Sequence, residues 1–115
     1  MNSLKMEEIK IKIGLDANRI PETMTWSASE NQNESEIKAL MLSVWDKSEG
    51  NTMRVDLWNK EMSVDEMKQF VHQSLLTMAD SFERATGDTT MGATMRDFCD
   101  YFAEKMNLRS PMGNR

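Results

Sequence analysis

The chain has 115 residues and a formal net charge of −5, and this length predicts a single domain over residues 1–115. It contains no basic run and no apolar stretch of the roughly 18–20 residues that cross a bilayer, which argues against nucleic-acid binding and membrane insertion. One Cys and one His exclude a disulfide framework and a Cys/His zinc site, so we expect no structural metal.

The first half of the chain reads as strands, because apolar and polar residues alternate with a period of two. Residues 8–15 and 22–28 form a first pair, joined by the turn-forming residues 16–19. Residues 37–46 and 51–59 form a second pair, joined by a turn that contains glycine. The pattern therefore predicts two hairpins in a four-stranded antiparallel meander.

Three segments lack any such periodicity. The polar, acidic residues 29–36 separate the two predicted hairpins and are expected to form a loop. Residues 1–7 form a loose N-terminus in this prediction and residues 109–115 a polar tail, which leaves an ordered core of about residues 8–108. The N-terminus has no apolar signal segment, so we expect a cytoplasmic location.

The second half of the chain changes to a helical pattern, with apolar residues at steps of three and four. A first helix is predicted near residues 63–86, where Ser63 is the N-cap and Glu66 completes a capping box. Gly87 ends this helix, and a second helix is predicted near residues 88–107. Each helix has one apolar stripe, so both are expected to pack on one face of the sheet in an α+β fold.

The predicted core combines the apolar face of the sheet with the two helical stripes. That face is the only large apolar surface on which the helices could pack. The predicted core residues are Ile11, Ile13, Leu42, Val55, Leu57, Phe70, Leu75, Phe82, Phe98 and Phe102.

Few side chains have the setting that catalysis or metal binding needs. His72 has no orienting acid or nucleophile at helical spacing, which favours a surface role. Cys99 falls on the inner stripe of the second helix, which favours a buried structural thiol. Asp97, Asp100 and Glu104 read as a solvated helix face, and no phosphate-binding, nucleotide-binding or hydrolase motif is present. We therefore expect no enzyme activity, no catalytic residue and no cofactor.

Two tryptophans and a methionine indicate an interaction surface instead. Met41 and Trp45 alternate with Leu42, and Trp58 alternates with Leu57, so both tryptophans lie opposite the predicted core face. They could form a second cluster, stay half-exposed or build an interface, and a homodimer is the commonest way to cover such a face. The candidate interaction residues are Met41, Trp45, Arg54, Asp56 and Trp58.

Long stretches of the chain carry a family resemblance, among them KALMLSVWD, MADSFERATGD and ATMRDFCDYFAEKM. The sequence resembles the GldC-type gliding-motility proteins of Bacteroidetes over roughly residues 8–108. The matching stretches are residues 8–29, 38–46, 51–75, 78–88 and 93–106.

The resemblance implies a small soluble protein associated with gliding over surfaces. Together with the candidate interaction residues, it leads us to expect an accessory protein that works without catalysis, through contacts with other motility or envelope proteins. It supplies no active-site residue to carry over to this chain. The order of four strands and two helices is also similar to that of SecB-type export chaperones. This second likeness is one of layout only, and it leaves a chaperone for secreted or envelope clients as the alternative.

Overall fold

The computed structural model describes residues 3–29 and 31–108, and the chain divides into two units. The strand unit lies within Met1–Met62 and the helical unit within Ser63–Arg115. The predicted tail at residues 109–115 lies outside the described residues. The elements in chain order are β1 (Ile9–Leu15), β2 (Pro21–Ala28), β3 (Asn31–Glu36), β4 (Ala39–Asp46), β5 (Asn51–Trp58), α1 (Val64–Thr86) and α2 (Thr89–Lys105).

Strands β1 and β2 form the first predicted hairpin. They pair antiparallel, with Ile13 opposite Met24 and Ile11 opposite Trp26. The turn between them is held by Asp16, whose Oδ1 accepts the backbone N–H groups of Asn18 at 2.8 Å and of Ile20 at 3.0 Å. The turn composition thus predicted this hairpin correctly, because the Asp side chain satisfies the donors that the turn exposes.

The predicted loop at residues 29–36 is wrong, because most of it forms β3. This strand pairs antiparallel with β2, and Glu36 lies opposite Thr25. An outer strand does not need an apolar face, because its backbone hydrogen bonds and cross-strand ion pairs hold it in place. Lys12 of β1 forms such a pair with Glu34 of β3. Polar composition therefore hid a strand rather than marking a loop.

The single four-stranded sheet is also wrong, since the strands form one sheet of order β1-β2-β3 and a second of β4-β5. The division falls at Ile37 and Lys38, between β3 and β4. Ile37 donates its backbone N–H to Met24, whereas the carbonyl of Lys38 accepts from Asn59, both at 2.9 Å. Successive strands thus follow one another as in a meander, but β3 pairs with β2 and β4 pairs with β5. The ladder of backbone hydrogen bonds is therefore interrupted between β3 and β4.

The two helices begin and end where the sequence predicts. Ser63 Oγ accepts from the Glu66 N–H and a Glu66 carboxylate oxygen accepts from the Ser63 N–H, both at 3.0 Å, which is a complete capping box. Gly87 has φ +76° and ends α1, and the Asp88 side chain caps α2 through the Met91 N–H. The packing of both helices on one face of a sheet stays a prediction, as does the single domain.

The predicted core is wrong in its membership. None of the ten predicted residues is buried, and Phe98 is 51% exposed. The buried apolar side chains of the described residues are instead Met24, Ala79 and Cys99. A sheet of two or three strands, or a pair of helices, covers only one side of most large side chains, so the small or centrally placed side chains are the ones fully enclosed.

Gly92 marks the close approach of α2 to α1. A Cβ atom at this position would lie 3.1 Å from Glu83 Cβ and 3.2 Å from its carboxyl carbon. Glu83 is held there by Arg96, whose Nη2 lies 2.7 Å from Glu83 Oε1. A side chain at position 92 would therefore displace this ion pair.

We expect Gly92→Ala to lower the free energy of unfolding of the helical unit by about 1–2 kcal/mol, the usual cost of overpacking. In a Glu83→Ala background the loss should be smaller, because the contact with the Glu83 carboxyl carbon at 3.2 Å is removed and only the contact with the Cβ atom at 3.1 Å remains. The four variants form a double-mutant cycle measured by circular dichroism in urea. An equal effect of Gly92→Ala in both backgrounds would contradict the close approach.

Three carboxylates of the strand unit favour their charged form. Backbone N–H donors, chiefly that of Ile20, lower the pKa of Asp16 below 3.8. The Lys12 ammonium lowers the pKa of Glu34 below 4.5, and the Glu49 N–H with the Ser48 hydroxyl lowers that of Asp46 below 3.8. Because the folded-state pKa is depressed in each case, the stabilisation is complete above the unfolded values and is lost as the pH falls through the folded ones.

We therefore expect the strand unit to keep its stability down to about pH 5 and to lose it progressively below about pH 4. Asp16→Asn should make this decline shallower, because the asparagine can still accept in the turn but does not titrate. The measurement is tryptophan fluorescence in urea across this pH range, since Trp26, Trp45 and Trp58 all lie in strands. Asp97→Asn in the helical unit is the control and should leave the slope of the strand unit unchanged.

Candidate interaction face on the β4–β5 hairpin

The register of β4 with β5 divides the hairpin into two faces. Leu42 lies opposite Val55 and Ser43 opposite Arg54, and no shift interrupts the eight pairs. Because side chains alternate along a strand, these two pairs point to opposite sides. The aliphatic face consists of Leu40, Leu42, Val44, Met53, Val55 and Leu57. The tryptophan face consists of Ala39, Met41, Ser43, Trp45, Thr52, Arg54, Asp56 and Trp58.

The tryptophan face carries an indole at each end. Trp45 lies opposite Thr52 near the turn and is 70% exposed, whereas Trp58 lies opposite Ala39 and is 53% exposed. Along β4 the two levels are six residues apart, which corresponds to roughly 20 Å at about 3.3 Å per residue. The indoles therefore do not contact each other across the face.

A charged group occupies the middle of this face. Arg54 Nη2 lies 2.9 Å from Asp56 Oδ1, and Arg54 Nε lies 3.2 Å from Asp56 Oδ2. A third guanidinium nitrogen of Arg54 donates to Ser43 Oγ at 2.5 Å. An exposed ion pair of this kind adds little to stability, but the fork geometry fixes the orientation of both side chains. The face thus presents an ordered, neutral polar centre between two aromatic ends.

The structure brings all five predicted interaction residues onto one face. Trp45, Trp58, Arg54 and Asp56 are exposed, and Met41 is half-buried opposite Asp56. Alternation along the strands was sufficient to predict this grouping. The wide separation of the indoles follows from the register, which the sequence pattern did not specify.

The aliphatic face is a second surface, and its exposure was missed. It was predicted to be core, yet four of its six side chains are exposed, namely Leu42, Val44, Met53 and Val55. The alternation correctly indicated that these apolar residues share one face of the hairpin. It could not indicate that a hairpin of only two strands leaves them partly in solvent.

The predicted non-catalytic side chains lie in the helical unit. His72 is half-buried, and its ring stacks near that of Phe102 with centroids 6.1 Å apart. Cys99 is fully buried as predicted, and this burial, with a smaller effect from Asp100, raises the pKa of its thiol. Asp97, Asp100 and Glu104 are exposed, as expected for a solvated helix face.

Arg96 links the two helices in a way that the sequence analysis missed. Its guanidinium lies 3.0 Å from Asp80 Oδ1 and 2.7 Å from Glu83 Oε1. Both carboxylates and Gly87 border an open groove of about 640 Å³ beside the helical turn. The sequence did contain a signal for the contact between Asp80 and Arg96. Both residues lie equally far from the tight turn at Asp88, and two antiparallel helices bring such positions together.

The described residues offer neither a metal-binding cluster nor a membrane-spanning helix. Within residues 3–29 and 31–108, no group of His, Cys, Asp and Glu has an arrangement that could hold a metal ion. Over the same ranges, neither helix has the length and apolar character needed to cross a membrane.

Comparison with known protein families matches residues 21–108, about three quarters of the chain, to the family described as gliding motility-associated protein GldC-like. The comparison with curated proteins and the comparison with solved structures found no significant match. The family match confirms the resemblance identified in the sequence and covers all elements from β2 to α2. The chain belongs to the GldC-like family of gliding motility-associated proteins.

Proposed function

We propose that this protein is a non-enzymatic accessory factor of bacterial gliding motility that binds another protein through the tryptophan face. The observation that carries the proposal is the placement of Trp45 and Trp58 on one exposed face with the Arg54–Asp56 pair between them. Tryptophan and arginine are enriched among the residues that dominate binding energy in protein interfaces. The family match supports the process, gliding motility.

The geometry of the face favours an extended partner segment. Two apolar side chains about six residues apart would reach both indoles, because an extended chain covers roughly 20 Å over that length. Polar or charged groups between them would meet Arg54 and Asp56, which have already formed their own hydrogen bonds. The proposed partner is therefore an extended stretch of a motility or envelope protein, bound in the cytoplasm.

A chaperone for secreted or envelope clients is the alternative function. The exposed aliphatic face favours it, because its six adjacent apolar side chains could contact an unfolded segment in any orientation. A chaperone would bind many unfolded clients through both faces of the hairpin, whereas an accessory factor would bind a defined partner through the tryptophan face. The two functions thus predict different partner sets and different sensitive residues.

The test is a Trp45→Ser/Trp58→Ser double variant, expressed in cells that lack the gene and examined for surface spreading and for captured partners. We expect the variant to fold, to lose a defined partner and to lose spreading, because both aromatic ends of the face are removed. Trp26→Ser is the matched control, since Trp26 is exposed on the other sheet and outside the tryptophan face.

Several outcomes separate the proposal from its alternatives. Retained spreading and an unchanged partner set in the double variant would contradict the tryptophan face as the binding site. Loss of many unrelated clients after Val44→Ser/Met53→Ser on the aliphatic face would favour the chaperone. His72→Ala is expected to spread normally, and a loss there without loss of folding would contradict a non-enzymatic role.

A further inference from the structure

The outer edge of β5 offers backbone N–H and C=O groups that the tryptophan-face proposal does not use. In the part of the chain that the structure describes, β5 pairs only with β4, in a sheet of two strands. β5 spans eight residues, contains no proline, and its register has no bulge. Natural edge strands are usually interrupted by prolines or bulges. A two-stranded sheet is only marginally stable by itself. This edge is therefore regular enough to accept another strand.

The direction of the backbone groups identifies which residues line that edge. Asn59 donates its N–H to the Lys38 carbonyl at 2.9 Å, which directs the backbone of the odd-numbered residues of β5 toward β4. The even-numbered residues then direct their N–H and C=O groups outward. The outward residues are Thr52, Arg54, Asp56 and Trp58.

The charges along β5 fit a second copy of the same strand. If two β5 strands pair antiparallel about a two-fold axis at Val55, Arg54 lies opposite Asp56 of the second copy, and Asp56 opposite its Arg54. Moving the axis to Arg54 or to Asp56 instead places like charges opposite each other. Opposite charges stabilise a cross-strand pair and like charges destabilise it, so the charge pattern selects the axis at Val55.

The other side of the strand fits the same register. With the axis at Val55, this valine lies opposite itself, and Met53 lies opposite Leu57 of the second copy. These are residues of the aliphatic face, so both aliphatic faces would join into one surface across four strands. An isologous contact of this kind is self-complementary, as two-fold symmetry requires.

The β1 edge of the three-stranded sheet lacks this complementarity. β1 is one of the two outer strands of that sheet, and Lys10 and Lys12 share one of its faces. A two-fold axis at Ile11 would place Lys10 opposite Lys12, and an axis at either lysine would place it opposite itself. The β1 ladder also has a register shift between Gly14 and Leu15. Edge lysines and irregularities are features that prevent self-pairing.

We propose that the protein forms a homodimer by antiparallel pairing of β5 with β5 of a second copy, about a two-fold axis at Val55. The result is a four-stranded sheet of order β4-β5-β5-β4, in which each Arg54 lies between Asp56 of its own chain and Asp56 of the second copy. The proposal does not depend on a motility partner, because only the protein itself takes part.

Charge reversal tests the register. Arg54→Asp and Asp56→Arg should each weaken dimerisation by about tenfold or more, since each single change places like charges opposite each other at both contacts. An equimolar mixture of the two variants should restore the dimer as a heterodimer, and the Arg54→Asp/Asp56→Arg double variant should dimerise with itself. Sedimentation velocity separates the 13.3 kDa monomer from the dimer, and native mass spectrometry identifies the heterodimer.

Cysteine cross-linking tests the axis directly. In a Cys99→Ala background, Val55→Cys should form an intermolecular disulfide under mild oxidation. Directly opposite residues of a non-hydrogen-bonded pair have Cα atoms about 4.5 Å apart, within disulfide range. Val44→Cys on β4 is the matched control and should stay monomeric, because the two β4 strands would lie three strand spacings, about 14 Å, apart.

A wild-type protein that is monomeric at about 100 μM would overturn the proposal, since the Kd of any dimer would then lie well above about 100 μM. A dimer that survives both single reversals, or a mixture that does not re-form it, would also overturn it and would place the contact elsewhere. Circular dichroism of each variant excludes unfolding as the cause of a lost dimer. These measurements use purified protein alone, so their failure is distinguishable from failure of the tryptophan-face proposal.

Discussion

Met24→Ala is expected to lower the free energy of unfolding of the strand unit by about 2–5 kcal/mol, the usual cost of emptying a buried methionine site. Met24 is only 2% exposed. It lies in β2, the central strand of its sheet, opposite Ile13 of β1 and bonded through its carbonyl to the N–H of Ile37. Truncation would leave a cavity among groups that both neighbouring strands hold in place, so the site could not collapse to fill it.

The measurement is tryptophan fluorescence in urea, which reports the strands. Met6→Ala is the matched control, because it makes the same chemical change at a side chain that is 79% exposed in the same unit. The control should change the free energy of unfolding by less than about 0.5 kcal/mol. Equal effects of the two substitutions would show that Met24 does not stabilise the sheet by burial.

The ends of the helices were predictable because the signals are local. Ser63 and Glu66 satisfy each other's backbone donors within one turn, and Gly87 adopts the left-handed conformation that ends a helix. Such interactions depend on residues a few positions apart, so they can be recognised in one sequence. The helix bounds accordingly agree with the prediction to within two residues.

The third strand and the division of the sheet were not predictable in the same way. β3 is polar, and its place depends on pairing with β2 and on the contact between Lys12 and Glu34, which are far apart in the chain. The change of pairing partner at Ile37 and Lys38 likewise depends on two different strands. Periodicity reports which way side chains point, but not which strand lies alongside.

The candidate interaction face was predictable, because it depends only on the side of the strand to which each side chain points. Alternation alone places Trp45 and Trp58 opposite the leucine side of their strands, and the observed register confirms it. The exposure of the aliphatic face follows from the division of the strands into two sheets, which periodicity does not report. The contacts of Arg96 follow from the equal distances of Arg96 and Asp80 from the helical turn.

Cys99 is expected to react with iodoacetamide at least about 100-fold more slowly than an exposed cysteine on the same helix. The thiol is fully buried, and burial raises its pKa above 9.0, with a further increase from the charge of Asp100. The thiolate is the reactive form, so a raised pKa reduces the reactive fraction at every pH below it. Both effects act in the same direction, and reaction then requires opening of the helical unit.

The comparison variant is Ala93→Cys in a Cys99→Ala background, since Ala93 is exposed on α2. Mass spectrometry follows both alkylation rates at pH 8 as urea is raised through the unfolding transition. The Cys99 rate should rise steeply with urea and approach the Ala93→Cys rate when the helices unfold, because opening then no longer limits it. Similar rates in the absence of urea would show that α1 and α2 do not enclose Cys99. A slow rate independent of urea would show that something other than folding protects the thiol.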